Sequence, residues 1–274
     1  MKYIANSFIR WGSFLSLLFA SVAHAQTVHI SHCMAGCPVS SGNMTTDRNE
    51  LVVRQLFAAS IGERTGLADW QAYRVLADSV GVASLLPRIW YEDSLVTRSA
   101  PMEEAIDDAP QFVQAVSSDA EERNYQLNEI KLLSEDQGRL VPMSSFAGTP
   151  YWEELNYLSN MAPLPFALRV GSWSRLDQAI NALADRIGEL YVVSGPLYHS
   201  QGVSSDTPFA YFKVISTEDA MTAFIFERDV QQHIDFCDQI RSLEQVETAA
   251  GLSLYPQRKA GFSANLHEQL SCNR

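Results

Sequence analysis

The chain is poor in positive charge. Its 274 residues carry 20 Lys and Arg against 32 Asp and Glu, a net −12. A surface of that sign repels a polyanion, so general electrostatic capture of nucleic acid is excluded, and any anion site has to be a local basic patch. Charged residues of both signs make up only 19% of the chain and hydrophobic ones 46%, which excludes a disordered polypeptide and leaves enough apolar residues for a sizeable core. Internal repeats are absent, which argues against solenoids and propellers. Beyond the N-terminus no apolar run reaches the length of a membrane span. Cysteine is scarce too, at four residues: Cys33, Cys37, Cys237 and Cys272.

What is present begins with an export pattern. Lys2 and Arg10 precede the short apolar run "WGSFLSLLFASVA", and "AHA" at 23–25 suits a small-x-small cleavage site. A signal peptide over 1–25, cut near Ala25/Gln26, is expected, with the protein periplasmic or secreted; the alternative is an uncleaved anchor, for which the run is short. Without Lys2 and Arg10 the balance is 18 against 32, a net −14. Four cysteines in an exported chain suggest disulfides, and of the three pairings Cys33–Cys37 with Cys237–Cys272 is favoured, pinning the N-terminal loop and the C-terminal tail. The rival reading of "HISHCMAGC" is a metal site made of His29, His32, Cys33 and Cys37.

Residues 26–49 are polar and read as an extended arm ahead of one domain over 50–274. "LVVRQLFAAS" and "ADWQAYRVL" read as two strands of a hairpin around "GERTG". The acidic stretch 101–123 reads as a solvated loop, or as a surface for a basic partner. Trp173, Leu176, Ile180, Leu183 and Ile187 form one apolar stripe, predicting a helix that starts at Gly171 or Ser172 and stops at Gly188. "ELYVVSGPLY" reads as a buried strand ending in a Gly-Pro turn. "FAYFKVIS" and "AMTAFIFER" pair around "STED", and "SLEQVETAAGL" is a late helix stopped by Gly251. The interspersed elements predict an α+β fold, a mostly antiparallel central sheet flanked by helices.

The ordered stretches "DWQAYRV", "SFAGTPYWEELNYLSNMAP", "GSWSRLDQAI", "LYVVSGPLY", "PFAYFKV" and "LEQVETAAGL" together resemble the DNA/RNA non-specific endonucleases, the sugar-non-specific nucleases of the ββα-metal group, over residues 50–257. "HCMAGCP" resembles their secreted bacterial branch. The resemblance implies cleavage of DNA and RNA with one divalent cation, usually Mg2+, on the scissile phosphate. It also implies a histidine base in an Asp-Arg-Gly-His loop, an asparagine as the direct metal ligand and a glutamate supporting the metal's waters.

Carried onto this sequence, that loop falls on Asp136, Gln137, Gly138 and Arg139, followed by Leu140, Val141 and Pro142. Gln137 replaces the phosphate-binding arginine and Arg139 the general base. After Asn160, Met161 and Pro163, Leu164 stands for a glutamine, and Arg169 takes the metal-ligand position. Asp177 takes that of the supporting glutamate. A guanidinium has no acceptor and a pKa above about 12, so it serves neither as base nor as cation ligand. His199 and His233 lack a neighbouring motif for base duty. Two readings follow for a non-catalytic chain: Arg139 and Arg169, with Gln137, hold a phosphate or another anion, or they pair with Asp136 and Asp177 in a decayed cleft. A working metal-dependent endonuclease with an altered site is the alternative.

Overall fold

The structure, a computed structural model, describes residues 29–42, 49–62, 66–97, 138–199, 207–258, 262 and 264–272. The acidic stretch 101–123, Asp136 and Gln137 lie outside the described residues, as does the proposed signal peptide.

Twelve strands are described: β1 (Val39–Ser40), β2 (Glu50–Val53), β3 (Phe57–Ile61), β4 (Ala68–Leu76), β5 (Gly138–Arg139), β6 (Met161–Ala162), β7 (Glu189–Leu197), β8 (Ala210–Ser216), β9 (Ala220–Glu227), β10 (Ile240–Arg241), β11 (Leu252–Ser253) and β12 (Ala264–Asn265). The central sheet runs β10-β9-β8-β7-β4-β3-β2, and every neighbouring pair in that order is antiparallel; β12 adds to β9 in parallel. The fold is therefore α+β with a mostly antiparallel sheet, as expected.

Alternation with period two decides what each face carries. Tyr73, Val75, Val192, Tyr211 and Ile215 join one core with the long helix Ser174–Ile187, whose Leu176, Ile180 and Leu183 are fully buried. Each such side chain contributes about 1.5–3 kcal/mol of burial. Trp70, Ala72, Val193, Phe212 and Val214 join a second core on the opposite face, under the helix Leu243–Ala250 and the N-terminal segment. The two helices thus flank the sheet.

The helix ends were legible. Gly188 closes the long helix with φ 96°, and Gly251 closes the later one with φ 65° in the left-handed region that favours glycine. Ser242 and Gln245 form a reciprocal cap at the start of the later helix. The start of the long helix is less simple. A single turn at Phe166–Leu168 runs into a wider turn over Arg169–Trp173, kinked at Gly171, before the regular helix begins at Ser174. A Cβ on Gly171 would lie 2.6 Å from the Gln232 carbonyl, so a crossing loop sits on that kink. Arg175 donates to the Gln232 and Ile234 carbonyls and Ser172 Oγ to Ile234, binding loop and helix together. Ile187, the last member of the predicted stripe, is exposed beside the terminating glycine.

Two expectations need correction. "LVVRQLFAAS" is two strands, because Arg54–Leu56 turns the chain so that Val53 pairs with Ala58. No glycine or proline marks that turn. It is held from afar: the Glu154 carboxylate accepts the N–H groups of Gln55 (2.9 Å) and Leu56 (3.3 Å), and the Arg54 side chain forks onto Asp93. Gly195–Pro196 is no turn but lies within β7, opposite Phe212 and Tyr211. β4 pairs only as far as Ser194, so the proline stands where that ladder has ended, and Gly195 makes room for the Asp69 carbonyl, 2.4 Å from where a Cβ would be. The N-terminal arm, where described, packs on the domain. Cys33 is buried in the second core, and β1 pairs with β11. Cys33–Cys37 and Cys237–Cys272 are both disulfides, which removes the thiolates from the rival metal reading, while His32 Nε2 contacts the Arg54 carbonyl at 2.9 Å.

Candidate functional site

The loop that carries Arg139 is clamped on both sides. Arg139 pairs with Met161 and Gly138 with Ala162 in the two-residue ladder β5–β6. A Cβ on Gly138 would lie 2.3 Å from Leu164 Cδ1, so that ladder closes over Leu164 only with glycine. Asn160, fully buried, fixes the next residues: its Oδ1 accepts the Val141 N–H at 2.9 Å, and its Nδ2 donates to the carbonyls of Val141 (3.1 Å) and Leu155 (3.0 Å). Asn160 is thus a scaffold residue. Each of those bonds answers a buried backbone group that would otherwise go unmet.

Arg139 emerges from this clamp into a fixed seat. Its Nε donates to the Leu155 carbonyl at 3.1 Å and its Nη2 to Asn156 Oδ1. The guanidinium carbon stands 4.2 Å from the centre of the Trp90 ring, itself buried with Leu158 and Met161. All three partners are neutral. Asn156 Nδ2 reaches back to the Pro87 carbonyl at 3.2 Å, which ties the segment bearing Arg88 and Trp90 to the Arg139 seat. Burial first, and then the positive charge of Arg88, push the Arg139 pKa down to about 9. The same two causes, in the same order, lower that of Arg169. Arg88 is half-buried and belongs to this group. Sequence reading missed it: an arginine in "PRIW" carries no motif of its own, and only the fold brings it to Arg139 and Arg169.

Arg169 sits in the wide turn that leads into the long helix, its guanidinium carbon 5.5 Å from the centre of the exposed Phe166 ring. Asp177 is placed elsewhere. It faces the sheet and forms a hydrogen-bonded ion pair with Lys213 of β8, whose Nζ also stands 3.9 Å from the Trp173 ring. Lys213 is fully buried and Asp177 nearly so. Burial raises the Asp177 pKa, and the Lys213 ammonium pulls the other way without cancelling it. The nearby Tyr73 phenol is pushed well up, by burial and then by the Asp177 charge. The carboxylate that could have paired with the cleft arginines thus has a different cation. His199 is exposed and stacks on Phe209 with ring centres 4.5 Å apart, and His233 lies exposed in the loop that crosses Gly171.

The sequence matches the family model for DNA/RNA non-specific endonucleases over residues 39–260. The chain belongs to that family. A nuclease of Serratia marcescens is 31% identical over 255 residues, covering 88% of this chain and 86% of the nuclease. The mitochondrial nuclease EXOG of Mus musculus is 27% identical over 117 residues, 42% of this chain and 30% of its own length. Among solved structures, EndoG in its complex with EndoGI superposes with a TM-score of 0.60 at 16% identity, covering 82% of this chain and 93% of that one, which is likeness of fold.

The family suggests a divalent metal ion, and the donors here do not fit one. Among the described residues no group of three His, Cys, Asp or Glu side chains is placed to hold a cation. Arg139 and Arg169 offer donors only, and Asp177 is held by Lys213. The arrangement suits an anion.

Proposed function

We propose that this protein is a non-catalytic member of the endonuclease family whose cleft holds a phosphate-bearing anion without a metal ion. The observation that carries the reading is the seat of Arg139, where a histidine base is expected. The guanidinium is held by Leu155, Asn156 and Trp90, so it is an ordered part of the cleft. It cannot take a proton from water, and with the charge of Arg88 acting on it the local field favours negative charge. Asp136 and Gln137, assigned to the loop by sequence alone, lie outside the described residues. Two disulfides among the described residues support an exported protein, periplasmic or secreted. Family membership makes nucleic acid the first candidate source of the anion, met by a local patch on an acidic body.

A second reading, a working metal-dependent endonuclease with an altered site, is favoured by the 31% identity to the Serratia nuclease over most of both chains. Plasmid nicking with added Mg2+ or Mn2+ separates the two. The expected result is no nicking above a metal-free control, with weak metal binding appearing only in the double variant Arg139→His/Arg169→Asn. Metal-dependent nicking by the parent protein, lost in Asp136→Asn, overturns the proposal.

A further inference from the structure

The central sheet ends at β2, and among the described residues no strand pairs with its outer edge. The Arg54 N–H donates to the Phe57 carbonyl at 2.8 Å, so those two residues form a hydrogen-bonded pair. Such pairs alternate along an antiparallel ladder, which makes Val52 and Glu50 the next residues bonded to β3. The N–H and C=O groups of Leu51 and Val53 therefore point outward. Their side chains share one face of the strand and are 51% and 47% exposed. An edge of this kind is a template for pairing, which lysine or proline on the strand would blunt. β2 carries neither.

The same edge walls a groove. About 820 Å³ lies between Leu51 and Val53, residues 29–32 of the N-terminal arm, and Leu95, itself 58% exposed. The groove is apolar along its wall and negative at its ends. Its one guanidinium, Arg54, is forked onto Asp93 and adds no net charge. Burial, opposed by the hydrogen bond to the Arg54 carbonyl, lowers the pKa of His32, so that ring adds none at neutral pH. The Glu154 carboxylate meets the N–H groups of Gln55 and Leu56, and Glu50 meets that of Thr97. Among the described residues neither carboxylate has a cation.

We propose that β2 is a docking edge for an extended cationic segment of another protein, which joins the central sheet as a further strand. The inference is independent of the cleft reading. The backbone of the segment takes the outward N–H and C=O groups of Leu51 and Val53. Its side chains alternate between two faces. Those on the groove face are apolar and lie on Leu51, Val53 and Leu95, and those between them are basic, one of them opposite Glu50. The charge decides the sign of the partner: two carboxylates without a cation flank the edge of a body whose net charge is −12.

The test titrates the full chain into two labelled hexapeptides, one of alternating lysine and valine and one of alternating glutamate and valine, read by fluorescence anisotropy. The lysine peptide is expected to bind at least about tenfold tighter, a difference of about 1.4 kcal/mol, and to weaken as salt is raised. Leu51→Lys lowers that affinity at least about tenfold and leaves the melting temperature in place, since the side chain is half exposed. Leu85→Lys adds the same charge at an exposed residue away from the groove and changes nothing, which separates the edge from the general field of an acidic body. Glu154→Gln still accepts the turn N–H groups and reduces the preference for lysine over glutamate. Methylating the backbone nitrogens of the valines, or those of the lysines, abolishes binding in one case and spares it in the other, because a strand donates from one edge only through alternate residues. Equal binding by both methylated peptides, equal loss in Leu51→Lys and Leu85→Lys, or no binding of the lysine peptide overturns the proposal. A concentration-dependent dimer that excludes the peptide and that Leu51→Lys dissolves assigns the edge to a second copy and overturns it too.

Discussion

Asp177 is where the two accounts of this cleft diverge, and Lys213→Met separates them. In a working metal site, Asp177 supports chemistry and its neighbours can change with little effect on folding. In the structure it is half of a buried ion pair, with Lys213 completely inaccessible on the sheet side. Removing one member of such a pair strands the other and destabilises by about 3–5 kcal/mol. At about 2–4 °C per kcal/mol for a chain of this size, the melting temperature falls by about 6–20 °C. Replacing both members by apolar residues, Lys213→Met with Asp177→Leu, removes both desolvation penalties and lands within about 2 kcal/mol of the parent, so the two changes are strongly non-additive.

The pH dependence has a definite sign. Without Lys213, burial raises the folded-state pKa of Asp177 further above its unfolded value of about 3.9. The native state then binds more protons than the unfolded one between those two values, so the variant loses stability as pH rises through that window. Urea unfolding followed by tryptophan fluorescence, disulfides intact, at pH 5 and pH 8, reads this directly: the deficit of Lys213→Met relative to the parent is larger at pH 8. A variant that unfolds within about 1 kcal/mol of the parent at pH 8, or a deficit independent of pH, refutes the pairing as what keeps a lysine in the core.

Other elements make their own predictions. Asp93→Asn strands the nearly inaccessible Arg54 beneath Tyr157 and costs about 3–5 kcal/mol. Burial acts to raise the Asp93 pKa, but the Arg54, Ser159 and Leu95 hydrogen bonds hold it below its ordinary value. Its contribution is therefore complete above about pH 4 and is lost as pH falls through the lowered pKa, which an acid titration of parent and variant detects. Gly171→Ala drives a methyl group into the Gln232 carbonyl and pushes the crossing loop off the long helix, expected as about 1–3 kcal/mol in urea unfolding with faster proteolysis of the loop. Converting Cys237 and Cys272 to Ser opens a crosslink of 35 residues and lowers stability by about 3–4 kcal/mol, against about 2 for the four-residue Cys33–Cys37 loop, measured by thermal unfolding of the two double variants.

Local chemistry made much of this fold legible. Glycine stops, most of the apolar stripe of the long helix and the paired strands are written within a dozen residues of where they act, and these were found where expected. What stayed hidden is held from a distance. The Arg54 turn depends on Glu154 and Asp93, about 100 and 39 positions away, so nothing beside it in the sequence announces a turn. The Gly-Pro pair in β7 imitates a turn because dipeptide chemistry does not know that β4 has stopped pairing. In the cleft, "GR" and "LRVGSW" could be located by their flanking anchors, while Arg88 and the Lys213 partner of Asp177 required the sheet and the cleft loops to be assembled first.

The arginine in the base position also speaks against simple decay. A cleft with no task places no demand on residue 139, and a small or apolar side chain fills it without desolvating a charge. The chain instead keeps a guanidinium, seats it on the Leu155 carbonyl and the Asn156 amide, stacks it on Trp90, and sets it within reach of the Arg88 charge. Like charges held together in a half-buried site lower the stability of the empty protein. That arrangement makes physical sense when a ligand supplies the missing negative charge, because binding then recovers what the empty cleft forfeits. On the proposed reading, the guanidinium that stands in the base position is the one an anion would find.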